Sequence, residues 1–258
     1  MRARIDGFAA WSPGLETRAS WEAWARAPHP LAHEGAPEIP FIPAAVRRRC
    51  TRLTKMMLRS AFEACGETLR ADVRTVFASR HGAIHVAVQI LASITGGEPV
   101  SPMQFSHSVH NAQAGLYSIA AGNREASSSL AGEADTCACA WIEALAHMER
   151  APGAAVLVTI ADEPLPPRLL PLVDEPASAY AVSFLLRRAD DADPDAIGLR
   201  IAPGGAAAAP ERSAPLAWPQ ALELARWWLA GASEPLALGA RRRYVFERGG
   251  EPAPPSPQ

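Results

Sequence analysis

The chain has little excess charge, few cysteines and no long apolar run, and each shortage argues against a class of function. Its 25 Lys and Arg stand against 27 Asp and Glu, for a net charge of −2. No basic surplus exists to neutralise a phosphate backbone, which argues against a nucleic-acid or polyanion binder. No run of about 20 apolar residues is present to span a bilayer, and Met1 to Trp11 lacks the apolar core of a targeting segment. Cys50, Cys65, Cys137 and Cys139 form neither a disulfide framework nor paired C-x-x-C metal spacing. A reduced, cytoplasmic setting with no membrane span is expected. His81 and His85 lie one helical turn apart, but no third ligand accompanies them. They read as capping or surface groups, so no metal and no cofactor are expected.

What is present is a core-forming chain of 258 residues, 48% of them hydrophobic, enough for one large domain or two small ones. A strand is predicted in ARIDGFAAW, then a short helix with Ser20 as its N-cap. Pro28, Pro30, Pro37, Pro40 and Pro43 hold the next segment extended. One long helix is predicted from Pro43 to about Leu69, burying Val46, Cys50, Leu53, Met57 and Phe62. Arg48, Arg52, Lys55 and Arg59 follow its other face, as a solvated stripe or as a docking surface for an acidic carrier protein. Buried strands are predicted at Val73 to Ser79, Ala154 to Ile160 and Ala179 to Leu186; the second has the unbroken apolar character of a strand covered on both faces. A helix from Ile84 to Ile94 ends at Gly96-Gly97. Ile197 to Ile201 reads as a strand, Pro219 to Leu229 as a helix, and Arg241 to Arg248 as an edge strand. The order of elements gives a layered α/β fold with helices over a mixed sheet. The main domain is placed at 1–202, a Gly/Ala/Pro linker at 203–215, a short helix and strand packing on the domain at 216–248, and a disordered tail at 249–258.

The stretch from Phe105 to Glu143 organises the rest. A His/Ser/Asn-rich loop leads into the small-residue helix NAQAGLYSIAAG, a Ser-rich polar crossing follows, and a second helix begins near Ala134. Small residues along the first helix permit close approach of another backbone, which serves core packing and a subunit interface equally. His107 and His110 read as loop or interface polar groups.

The pattern Asn111-Ala-Gln-Ala-Gly115, a small-residue helix, a polar crossing and an Ala-rich helix resembles the N-terminal half of β-ketoacyl synthases of the thiolase fold. The flanking pieces PAAVRRRCTRLTKMMLRSAFEAC, VRTVFASRHG and APGAAVLVTIADE fit the same order, over about residues 40–190. The resemblance implies a cysteine nucleophile at the mouth of the second helix, on a turn that aims it into a pocket. Counted from Asn111 that position falls at Ala134, or at Glu133 with a slip of one; neither is a cysteine. Cys137 lies nearly one helical turn further in and is the fallback nucleophile, its plainer reading being a small apolar filler. The loops that bring the family's two histidines have no counterpart, and about 58 residues after position 200 are too few for a second half.

This resemblance implies a chain-length-factor-type subunit. Such a subunit is non-catalytic and pairs with a full-length ketosynthase as a heterodimer served by an acyl carrier protein, similar to those of aryl polyene pathways. The interface is expected on Asn111, Ala112, Ala114, Gly115, Ser118 and Ile119, and carrier docking on Arg48, Arg52, Lys55 and Arg59. The alternative is a shortened acyltransferase or condensing enzyme using Cys137, or Glu133 as a base. A third reading is a stand-alone lipid or acyl-carrier binding module.

Overall fold

Val156 to Asp162 is buried at every position, as a strand with neighbours on both edges and helices on both faces must be. In the computed structural model, which describes residues 2–173, 176–190, 192–202, 218–239 and 242–249, it is β4, near the middle of an eight-stranded sheet. The strands are β1 (Arg2–Trp11), β2 (Arg74–Ala78), β3 (Ser127–Leu130), β4 (Val156–Asp162), β5 (Tyr180–Arg188), β6 (Ile197–Ile201), β7 (Leu236–Leu238) and β8 (Tyr244–Arg248). They lie in the order β3-β2-β4-β5-β1-β6-β8-β7. β2 is parallel to β3 and β4, and the remaining pairings are antiparallel. This is the layered mixed α/β fold expected.

Alternate residues of each strand point to opposite faces, and the sheet therefore divides the core in two. Val156, Val158 and Ile160 join Trp141, Trp21 and Leu222 on one side. Leu157 and Ala161 join Leu53, Met56, Leu58 and Tyr117 on the other. The first side carries α1 (Arg18–Arg26), α7 (Thr136–Arg150) and α8 (Gln220–Leu229); the second carries α3 (Arg52–Leu69) and α6 (Ala112–Ala121). Buried polar groups are matched across the layers. Thr159 and Ser183 share a hydrogen bond of 2.9 Å, Ser183 donates to Ser60 Oγ at 2.9 Å, and Ser60 donates to the Met56 carbonyl at 3.3 Å. The chain of hydroxyls binds β4 and β5 to α3 without an orphaned group.

Several local expectations are corrected. Thr17, not Ser20, caps α1: its Oγ1 accepts from the Ser20 amide at 3.2 Å, and Ser20 Oγ accepts from the Thr17 amide at 3.1 Å. Ser20 is the returning half of a capping box. The long helix after Pro43 is two helices. α2 (Ala44–Arg47) closes at Arg48, and α3 restarts behind Thr51, whose Oγ1 accepts from the Thr54 amide at 3.2 Å. A threonine able to cap competes with helix continuation, and the break separates Arg48 from Arg52, Lys55 and Arg59. The loop before Asn111 is largely helical, as α5 (Pro102–Ser108), opened by the Ser101 hydroxyl and by Pro102 in the first turn. The Ser-rich crossing contains β3, whose backbone groups pair with β2 despite a sequence with little strand propensity. Finally, β8 lies inside the sheet, and the short β7 takes the edge.

The expected linker at 203–215 and all but the first residue of the tail lie outside the described residues. Beyond the linker, α8 is buried along most of its length against α1 and β5. No helix among the described residues is long and apolar enough to cross a membrane.

Candidate functional site

The turn between β3 and α7 is built as an elbow. Glu133 has φ 52°, the only non-glycine in the left-handed region among the described residues, a conformation that L-residues adopt at a cost. Two hydrogen bonds hold it: Thr136 Oγ1 donates to the Glu133 carbonyl at 2.7 Å and accepts from the Gly132 amide at 3.0 Å. A Cβ at residue 132 would stand 2.8 Å from Cys139 Sγ and 3.2 Å from its Cβ, so any larger residue there would have to displace Cys139. Glu133 to Asp135 form one 3-10 turn, and α7 follows at Thr136. The sequence count thus reaches an unusual backbone position. Glu133 is exposed there, Ala134 is half-buried, and Cys137 is 2% exposed within the Trp141 core.

The floor beside this turn is polar. Asp162, at the end of β4, accepts from Ser79 Oγ at 2.7 Å, the His81 amide at 3.0 Å, the Arg80 amide at 3.2 Å and the Tyr180 hydroxyl at 3.2 Å. Ser79 in turn accepts from the Gly82 amide at 2.8 Å. Burial pushes the Asp162 carboxyl above its ordinary value, and the four donors pull it back. Its neighbour Glu163 is also buried and pushed up by burial, opposed by His85 and by the Arg52 guanidinium at 3.6 Å. This pair of buried carboxylates went unnoticed in the sequence, although the Asp-Glu-Pro ending of an apolar strand was the available signal. A cavity of about 10 Å³ lies between Glu133, Ala134, Cys137, Asp162, Tyr180 and Gln220.

The expected interface residues divide by helix face. Asn111, Gly115 and Ile119, spaced four apart, are exposed on α6; Ala112 and Ser118 are half-buried, and Ala114 is buried. Among the described residues nothing lies within 4 Å of a Cβ placed on Gly115, so packing among them does not require its small size. Around this face α4 (Ile84–Thr95) buries only Ile90, and α5 buries only His107. Leu91, Ile94, Met103, Phe105, Val109 and Ile119 are 42–61% exposed. The edge strand β3 is reached from here through His110, whose Nε2 lies 2.6 Å from the Leu130 carbonyl.

The basic stripe is less open than expected. Arg52 turns inward, donating from Nε to the Gly35 carbonyl at 2.6 Å and facing Glu163. Arg59 pairs with Glu63 at 3.2 Å. Arg48 is exposed and Lys55 half-buried, neither with an ion pair among the described residues. His85 Nε2 lies 2.8 Å from the Pro164 carbonyl, and no three His, Cys, Asp or Glu side chains converge as a metal set among the described residues.

One further cluster escaped sequence reading. Ser128 on β3 donates to Glu143 Oε1 at 2.7 Å and lies 3.0 Å from His147 Nε2. Burial lowers the His147 pKa, aided by Arg74 and Arg150 and opposed by Glu143. The i,i+4 spacing of Glu143 and His147 was visible; their contact with Ser128 depends on β3 being a strand.

A search of the curated proteins finds no match. Among solved structures, the chain is similar to one chain of the ketosynthase ApeO in complex with its chain length factor ApeC from Xenorhabdus doucetiae: TM-score 0.77, 22% identity, covering 96% of this chain and 100% of that one. It is also similar to the ishigamide ketosynthase/chain length factor, with TM-score 0.60 and 18% identity over 78% of this chain and 68% of that chain. A β-ketoacyl synthase from Burkholderia phymatum STM815 aligns with TM-score 0.57 and 14% identity, over 73% of this chain and 59% of that chain. The family model of the β-ketoacyl synthase N-terminal domain matches residues 21–247 and so takes in both the elbow and α8. Over most of its length, from α1 to β8, the chain belongs to the β-ketoacyl synthase N-terminal domain family.

Proposed function

We infer that this protein is a non-catalytic, chain-length-factor-type subunit that pairs with an active β-ketoacyl-ACP synthase, in a type II fatty acid or polyketide pathway of the aryl polyene kind. The observation that carries this reading is the elbow itself. A left-handed turn stands at the head of a helix at Glu133, next to Ala134, where the sequence count places the family nucleophile (Glu133 itself with a slip of one), and neither residue is a cysteine. A carboxyl side chain there cannot form the thioester that a thiol at this position would. Cys137 is buried behind the turn, where an acyl thioester has no access.

Support for pairing comes from the surface. The elements that carry these groups are neighbours: α4 and α5, with the uncovered apolar side chains from Leu91 to Val109, lie against each other, α5 lies against α6 with its open face at Asn111, Gly115 and Ile119, and α6 lies against the edge strand β3. Contiguous apolar surface of this kind marks an interface, and an unpaired strand edge is managed by covering it. The occupant we assign is the ketosynthase, in keeping with the solved relatives described as ketosynthase and chain length factor together. Of the four cations in the stripe, Arg48 and Lys55 have no ion pair among the described residues, and to these we assign docking of an acyl carrier protein; Arg52 and Arg59 are engaged within the chain. Work in the cytoplasm follows from this role.

The test is co-expression with a full-length ketosynthase, purification through a tag on one chain only, and intact-mass analysis after incubation with an acyl-carrier thioester. A stoichiometric pair acylated on the ketosynthase alone is the expected result. Acyl mass on Cys137 or Cys139, or a chain that stays monomeric beside its partner, would sink the reading.

A further inference from the structure

The elbow faces the carboxyl ends of β2 and β4, the region where open α/β sheets receive ligands. That space is filled by the chain itself. Gln220 and Ala221, in the first turn of α8, line it together with Glu133, Ala134 and Cys137, and about 10 Å³ remains. A single water needs about 10–15 Å³ by the same measure, so among the described residues this space has no room for an alkyl chain. The filling is firm. Ala221 is 1% exposed, and Ala221, Leu222 and Cys137 belong to one apolar cluster. α8 is held at both ends: Trp218 packs edge-on against Trp24 with ring centroids 5.1 Å apart, and Trp227 Nε1 donates to the Glu234 carbonyl at 2.7 Å.

We propose that α8 is a built-in plug, so that this chain houses no acyl group behind its own elbow and meets a growing chain only with its outer surface. The inference rests on the assignment of Glu133 and Ala134 as the elbow. It adds a statement about where substrate is excluded, and it implies that restoring a thiol at the turn would not restore an acyl pocket.

The test uses the full chain carrying Glu133→Cys. Methanethiosulfonate reagents bearing ethyl, hexyl or decyl groups are attached to it: the thiolate attacks the sulfenyl sulfur, a mixed disulfide forms and methanesulfinate leaves. A chain buried in a pocket stabilises the fold more with every methylene removed from water. The plug therefore predicts a melting temperature independent of chain length, and a stepwise rise from ethyl to decyl would overturn it. The native thiols give a second arm that needs no variant. Peptide mapping with the hexyl reagent is expected to find Cys139 modified and Cys137 protected in the folded wild type, and equal rates at the two would also overturn the proposal. In Gln220→Ala, Cys137 is expected to react about tenfold faster or more, since local opening governs access to a buried thiol. A loss of pairing, or acyl transfer to this chain, would instead sink the subunit reading and leave the chain-length series to stand or fall separately.

Discussion

Ser79 and Asp162, 83 residues apart in the sequence, are joined by a 2.7 Å hydrogen bond between hydroxyl and carboxylate. Through it the turn after β2 is tied to the end of β4, and both sit beneath the elbow. The Asp162 carboxyl accepts from four donors at once.

Replacing Asp162 by Ala leaves the Ser79 and Tyr180 hydroxyls and two backbone amides without their acceptor. Each buried unsatisfied group costs about 1–3 kcal/mol, and removing a buried carboxyl gives part of this back by ending its desolvation, so Asp162→Ala is expected to lose about 3–5 kcal/mol in urea unfolding. Asp162→Asn, which keeps one acceptor oxygen, is expected to lose less. Equal stability of wild type and the Ala variant would show that the network contributes nothing.

Glu133 allows a backbone test of the elbow. Glycine adopts φ 52° freely, so Glu133→Gly is expected to be neutral or to gain up to about 1 kcal/mol, whereas Glu133→Val, β-branched at positive φ, is expected to lose about 1–2 kcal/mol. Calorimetric melting of the three proteins decides. The reverse order would mean that the turn relaxes once its side chain changes.

Gly115→Leu separates folding from pairing. The sequence alone suggested that a bulky residue there would disturb close packing, but a side chain at 115 meets nothing within 4 Å and leaves the helix with a better former than glycine. The melting temperature of the isolated chain is expected to hold or rise slightly, while co-purification with the ketosynthase falls at least tenfold, since overpacking a tight contact costs about 1–3 kcal/mol. Undiminished pairing would remove this face from the interface.

His147 sets a pH response. Its folded pKa lies below the ordinary 6.5, with burial as the leading cause, so the unfolded chain binds the proton more readily. Stability is then complete above about pH 6.5 and declines as pH falls through that value toward the folded pKa. His147→Gln keeps a polar partner for Ser128 and removes the titration. The fall in melting temperature between pH 7.5 and 5.5 is expected to shrink in this variant; it does not vanish, because burial also lowers His107. An unchanged slope would place the response elsewhere.

The sequence by itself determined the layers of the fold and pointed to the turn proposed as the site. The unbroken apolar run of β4, the glycine stop after α4, and the order of elements were enough, because strand burial and helix ending are local matters of composition and backbone freedom. The count from Asn111 to Glu133 and Ala134 reached the left-handed turn without coordinates, since that spacing is set by one helix and one short crossing. Tertiary structure decided the rest. Ser127 to Leu130 became a strand only because β2 offers a ladder, against the propensity of three serines. Arg52 left the basic face because buried Glu163 needed a cation. Gly115 faces open space, which periodicity cannot distinguish from a packed helix. Finally, Gln220 and Ala221 reach the elbow from nearly ninety residues away, a contact that no local pattern encodes and that only the packing of α8 against the sheet creates.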